Sequence, residues 1–191
     1  MIDPHWYVNP EFFFQNTTVF DNHPRGKYDV YVGEYACNAN VGGGNMRAAL
    51  SEAAFISGME RNGDLVKMTS YAPLLENRND RSWAVNLIWL DTDQVLGRSS
   101  YYVQQMAAEN RPTYNIKYNR SVSMDKNSNL THSSDSIPLQ FISSGYDEET
   151  KEIIIKVVNA ADVPYSTSFQ LDGVTTVSYT HLRAHETLSD L

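Results

Sequence analysis

The chain has 191 residues, 41% of them hydrophobic, and carries a formal net charge of −8. That acidic balance argues against nucleic acid, whose binders present basic stripes, and against attraction to an anionic membrane; no apolar run is long enough to span a bilayer. Cys37 is the single cysteine, which excludes an intrachain disulfide and leaves the redox compartment open.

Residues 1–3 read as the end of a strand that enters a loop at Pro4. Asn9-Pro10-Glu11 is a helix start, with Asn as N-cap, Pro at the first helical position and an acid in the first turn. This predicts a helix over 10–20, followed by a turn over 21–27. Residues 30–35 are an apolar β-prone run, expected as a strand covered on both faces. After a loop over 38–44, a helix starts at Asn45. Its apolar stripe is Met46, Ala49, Leu50, Ala53 and Ile56, and Gly63 ends it. Glu52 and Glu60 on that helix read as a solvated or salt-bridged face. A strand over 65–72, a long loop over 73–98 and a helix over 101–109 follow.

This alternation predicts parallel strands joined by helical crossovers. Beyond Arg111-Pro112 the pattern changes. Tyr114, Ile116 and Tyr118 alternate with polar residues, and 137–143, 153–158 and 165–171 are further strand candidates. Asp147-Glu148-Glu149-Thr150 reads as a hairpin turn, and the polar stretch 121–136 as a surface loop.

A carboxylate at the carboxyl end of a strand that feeds a helix is where barrel enzymes keep their chemistry, which singles out Glu34. Taken alone, Glu34 reads more readily as a strand-end carboxylate paired with a base. His5, His23 and Glu34 lack metal-ligand spacing. Gly42-Gly43-Gly44-Asn45 lacks the Gly-Lys-Ser/Thr ending of a phosphate loop. Neither a metal nor a cofactor is implied.

Several stretches in order strengthen the case: Asp3-Pro4-His5-Trp6-Tyr7, Val32-Gly33-Glu34-Tyr35-Ala36 and Ala48-Ala49-Leu50-Ser51-Glu52-Ala53-Ala54-Phe55. Met59-Glu60-Arg61-Asn62, Lys67-Met68-Thr69-Ser70-Tyr71-Ala72-Pro73-Leu74 and Ser100-Tyr101-Tyr102-Val103-Gln104 continue the series. Together they resemble family 51 glycoside hydrolases, the α-L-arabinofuranosidases. The resemblance implies the C-terminal part of a (β/α)8 TIM barrel over 1–110, entered at the end of its sixth strand. A truncated antiparallel β-sandwich over 111–176 would follow. It also implies that Glu34 is the catalytic nucleophile of a retaining hydrolase and that His5 and Tyr7 contact the sugar. Trp83 offers a sugar-stacking face or packs where barrel meets sandwich. The partner would be an arabinose-containing glycan, with room for a homo-oligomer of the parent enzyme.

The family's acid/base glutamate lies near the fourth barrel strand, outside this chain, so the 191-residue polypeptide is expected to be inactive and poorly folded or self-associating. The compartment stays open between extracellular or periplasmic and cytoplasmic. Val177-Ser178-Tyr179-Thr180-His181-Leu182-Arg183-Ala184-His185-Glu186-Thr187 resembles a translated sequencing adapter, so 177–191 is expected to stand outside the fold. A reading of another class is a non-catalytic carbohydrate-binding or structural β-sandwich with a barrel remnant.

Overall fold

A computed structural model describes residues 1–121, 137–164 and 166–174. The surface loop expected over 121–136 and the tail expected over 177–191 lie almost wholly outside these described residues.

The first layer is a parallel sheet in the order β1 (His5–Val8), β2 (Val30–Cys37), β3 (Val66–Tyr71). Helices α1 (Pro10–Gln15) and α2 (Met46–Arg61) make the two crossovers. The expected alternation is therefore present, with one shift at its start. The strand expected to end at Asp3 runs instead to Val8, and Ile2 only bridges Val30.

Both helix starts form as their caps dictate. Asn9 accepts from the Phe12 amide at 2.9 Å and Asn45 from the Ala48 amide at 2.9 Å. Helix α1 stops at Gln15 rather than at 20 because the following main chain is used elsewhere. The Asn16 side chain caps the Phe12 carbonyl at 2.8 Å, and Arg61 Nη2 takes the Thr17 carbonyl at 2.8 Å. That carbonyl also lies against Gly58 of α2, where an added Cβ would stand 2.1 Å from it. Only glycine permits this approach of the two segments.

The core lies between the sheet and the helices, with Phe13, Val30, Val32, Tyr35, Phe55 and Leu65 almost wholly buried. Trp6 meets Phe20 and Phe55 edge to face. Helix α2 is buried over more than its apolar stripe, because a second layer covers its other side. Phe14, Ala54, Ile137 and Phe141 form that second cluster, with Phe14 stacked on Phe141 at 5.7 Å.

The second layer is an antiparallel sheet of β7 (Tyr114–Asn115), β8 (Gln140–Asp147) and β9 (Glu152–Asn159). Asp147 pairs with Glu152 across the expected hairpin turn. Lys156 and Ser143 of this sheet both reach Glu60 of α2, so that carboxylate joins the two layers rather than facing solvent. Residues 166–171 form no strand, contrary to expectation.

The stretch 73–98 is more than a loop. It holds β4 (Leu75–Asn77), parallel to β5 (Ile88–Leu90), which is antiparallel to β6 (Val95–Gly97). Strands of three residues are too short to show a period of two. Helix α3 (Ser99–Glu109) returns the chain to the core, where Tyr35 donates to Gln104 Oε1 at 2.8 Å.

Candidate active site

Parallel strands bring residues that pair in register side by side; the strand expected over 30–35 runs on to Cys37, so Glu34 lies three residues before its end. In β1 the pleat alternates: Trp6 and Val8 face the core, whereas His5 and Tyr7 are exposed. His5 pairs in register with Glu34 of β2, and Tyr7 with Ala36. Three of the four residues singled out by sequence are thereby brought together.

Tyr7 donates its hydroxyl proton to Glu34 Oε2 at 2.6 Å, and His5 Nδ1 stands 3.6 Å from the same oxygen. Burial first, then the bond to Glu34 and its charge, pushes the Tyr7 phenol up to about 12. Tyr7 is thus a proton donor that keeps its proton in neutral solution. The Glu34 side chain remains 44% exposed, open to a ligand approaching from the rim.

The backbone beneath Glu34 is irregular. Val32 pairs with Thr69 and Tyr35 with Tyr71, so β2 spends one residue more than β3 across this interval. A bulge at Gly33–Glu34 re-aims the side chain that follows, a device common beside active sites. Asp3 closes around it. Its Oδ1 accepts from the Gly33 amide at 2.8 Å, and its Oδ2 lies 3.1 Å from His5 Nε2. A Cβ on Gly33 would come within 2.4 Å of Asp3 Oδ1. Asp3 thus orients His5 and supports the bulge, a role that spacing along the sequence did not reveal.

Trp83 does not join this cluster. It is 65% exposed and lines a cleft of about 270 Å³ together with Pro73, Glu76, Arg81 and Asn86. Asn86 Nδ2 bonds both the Trp83 carbonyl at 2.8 Å and the buried Glu76 at 2.7 Å. These bonds fix the loop from within and leave the indole outward. The cleft begins at Pro73, two residues past the end of β3.

The glycine run ahead of α2 is held by Arg98, whose Nη2 donates to the Gly44 carbonyl at 3.1 Å. Among the described residues, no group of three His, Cys, Asp or Glu side chains could hold a metal ion.

Comparison with known proteins places this geometry. The model of the α-L-arabinofuranosidase C-terminal domain matches residues 33–190. An extracellular exo-α-L-arabinofuranosidase of Streptomyces chartreusis is 40% identical over 110 residues, covering 58% of this chain and 13% of the relative. α-L-Arabinofuranosidase 2 of Arabidopsis thaliana is 44% identical over 108 residues, covering 56% and 16%. α-L-Arabinofuranosidase A of Aspergillus kawachii is 31% identical over 169 residues, covering 82% and 25%. The chain thus spans a quarter or less of the length of these relatives. Among solved structures, an arabinose-bound MgGH51 α-L-arabinofuranosidase superposes with a TM-score of 0.68 at 28% identity, covering 83% of this chain and 25% of that one. A thermostable GH51 α-L-arabinofuranosidase from Thermotoga petrophila shares the fold, with a TM-score of 0.53 at 13% identity over 69% of this chain and 28% of that one. With a sheet rim that carries a paired tyrosine and glutamate, and a family match that extends over most of its length, the chain belongs to the α-L-arabinofuranosidase C-terminal domain family.

Proposed function

We propose that this chain is the nucleophile-bearing segment of a retaining α-L-arabinofuranosidase. Its substrate would be the non-reducing terminal α-L-arabinofuranosyl residue of an arabinose-containing polysaccharide or oligosaccharide. The observation that carries this reading is the 2.6 Å bond from Tyr7 to Glu34 across adjacent parallel strands, three residues before the end of β2. In this reading β1, β2 and β3 are the sixth, seventh and eighth strands of a (β/α)8 barrel. Residues 1–110 belong to that barrel, 111–176 to the sandwich that follows it, and 177–191 to neither.

A retaining glycosidase needs a second carboxyl group about 5–5.5 Å from the nucleophile. That group protonates the departing oxygen while Glu34 attacks the anomeric carbon. The result is an arabinosyl ester on Glu34 and a free alcohol. The second carboxyl, now a base, takes a proton from water, and the water's oxygen displaces Glu34. Tyr7 would orient the attacking oxygen and stabilise its charge in the free enzyme, while His5, held by Asp3, would contact the ring hydroxyls. Trp83 would stack on sugar units in its own cleft. The partner carboxyl comes from another barrel strand, so the 191 residues by themselves are inactive.

The test is Glu34→Gln in the full-length enzyme that carries this segment. The variant should fold, bind arabinosides and lose nearly all turnover. A slow aryl arabinofuranoside should leave an arabinosyl mass on the wild-type peptide that contains Glu34. Wild-type rates in the variant, or the label on another peptide, would overturn the reading.

A further inference from the structure

We propose that Glu52, a residue of helix α2, positions the nucleophile by holding the end of the strand that carries it. The proposal rests on the reading of Glu34 given above.

The bulge that aims Glu34 interrupts the pairing of β2 with β3 between Val32 and Tyr35. Beyond it, the two strands share little. Tyr35 pairs with Tyr71, the Ala72 amide reaches the Tyr35 carbonyl at 3.3 Å, and the next residue, Pro73, has no amide to offer. Two residues further along β2, the Cys37 amide donates to Glu52 Oε1 at 2.7 Å. A side-chain carboxylate from the helix behind the sheet serves as acceptor there. On the opposite side, Asn38 and Ala39 donate to the Val8 carbonyl of β1 at 2.9 and 3.2 Å. The strand end is thus clamped from both sides, three residues past Glu34, and one clamp is Glu52.

Glu52 has no exposed surface, and neither do Tyr35, Ala36 or Cys37. A carboxylate in such a place is expensive to desolvate, and an alanine or leucine would fill the helix face without that penalty. What the carboxylate supplies and an apolar side chain does not is an acceptor for the Cys37 amide. The hydroxyls of Ser100 and Tyr71 face it from α3 and β3 and oppose the upward shift that burial imposes on its pKa. Glu52 therefore ties the end of β2 to helix α2 beneath the rim, while Glu34 itself stays open for chemistry. A nucleophile must be held to a fraction of an ångström, and a displacement of about 1 Å costs on the order of a hundredfold in rate. Glu52 acts through the backbone and touches no substrate, so it is a positioning residue.

The experiment measures kcat and KM of the full-length enzyme on an aryl arabinofuranoside, for wild type, Glu52→Ala, Glu52→Asp and Glu52→Gln. Alanine removes the acceptor and aspartate withdraws it by one methylene. Both should lower kcat at least about tenfold, with KM within about twofold. Glutamine keeps an oxygen for the Cys37 amide and should restore kcat to within about threefold of wild type. If the alanine variant fails to fold, the aspartate variant decides by the same criterion. Wild-type kcat in the alanine or aspartate variant would overturn the proposal. So would a glutamine variant as slow as the alanine one, or a loss that falls on KM rather than kcat. Failure of the nucleophile reading is separate: it shows in the wild-type enzyme, as absence of turnover or of label on Glu34.

Discussion

Tyr7 and Glu34 lie on neighbouring parallel strands, 27 residues apart in sequence, and their side chains meet at 2.6 Å on an open rim. A phenol pushed up to about 12 cannot lose its proton to this carboxylate in neutral solution, so the hydrogen bond runs in one direction, from oxygen to carboxylate.

Replacing Tyr7 by Phe in the full-length enzyme removes that donor and little volume. A hydrogen bond to a charged group is worth about 1.5–3 kcal/mol, so kcat/KM should fall about ten- to a hundredfold. The raised Tyr7 pKa adds no limb to the rate profile between acid and neutral pH, so the wild-type and Phe profiles should share their shape there. Steady-state kinetics across that range check both statements.

Gly33→Ala forces a methyl group against Asp3 Oδ1, at 2.4 Å in the present geometry. The Asp3 carboxylate must withdraw, releasing both the Gly33 amide and His5. Overpacking of this kind typically costs about 1–3 kcal/mol. Adding Asp3→Ala to Gly33→Ala removes the clash, so the double variant should melt higher than the sum of the single effects implies. A double-mutant cycle of melting temperatures measures this coupling.

Trp83→Ala should weaken longer substrates more than short ones. In the full-length enzyme, the ratio of kcat/KM on an arabino-oligosaccharide to that on an aryl arabinofuranoside should fall about tenfold or more, because only the former reaches the cleft. A ratio equal to that of wild type would show that the exposed indole meets no sugar.

Glu52 also makes stability depend on pH. Burial raises its carboxyl from 4.5 to about 7, against the Ser100 hydroxyl, the Cys37 amide and Tyr71. The folded state therefore binds a proton that the unfolded state has released, and the sign follows. The contribution is fully present below pH 4.5 and is lost as pH rises through about 7. A tenfold change in proton affinity corresponds to about 1.36 kcal/mol, so the whole contribution is on the order of 3 kcal/mol at most. Glu52→Gln does not titrate, so the wild-type melting temperature should fall relative to this variant as pH rises through that window. Parallel pH curves for the two proteins would contradict this.

Reading along the chain recovered both helix caps, the parallel crossovers and the hairpin turn at 147–150. These features depend on residues near one another in sequence, where a cap, a period or a turn leaves a local mark. The end of α1 at Gln15 did not show, because it depends on Arg61 and Gly58 claiming the main chain at Thr17 from another helix. The strands within 73–98 were too short to leave a pattern.

Glu52 illustrates the division most directly. From its spacing to Glu60, it read as one of two acids on a solvated or salt-bridged helix face, a reading that holds for Glu60 alone. The structure buries Glu52 completely against β2 and ties Glu60 to Lys156 of the second sheet. Helical periodicity tells which residues share a face but not how many layers cover the helix, and here two sheets enclose α2.

The amino-acid order alone determined that strands and helices alternate over the first 110 residues, and that a glutamate stands in the second strand, though that strand runs on to Cys37 rather than closing beside it. Only the folded chain decided what that glutamate touches. Its contacts with Tyr7 and His5, the bulge beneath it and the Asp3 carboxylate around it arise from register between strands about 30 residues apart. Such register is set by long-range packing, which leaves no period or motif in the sequence to read.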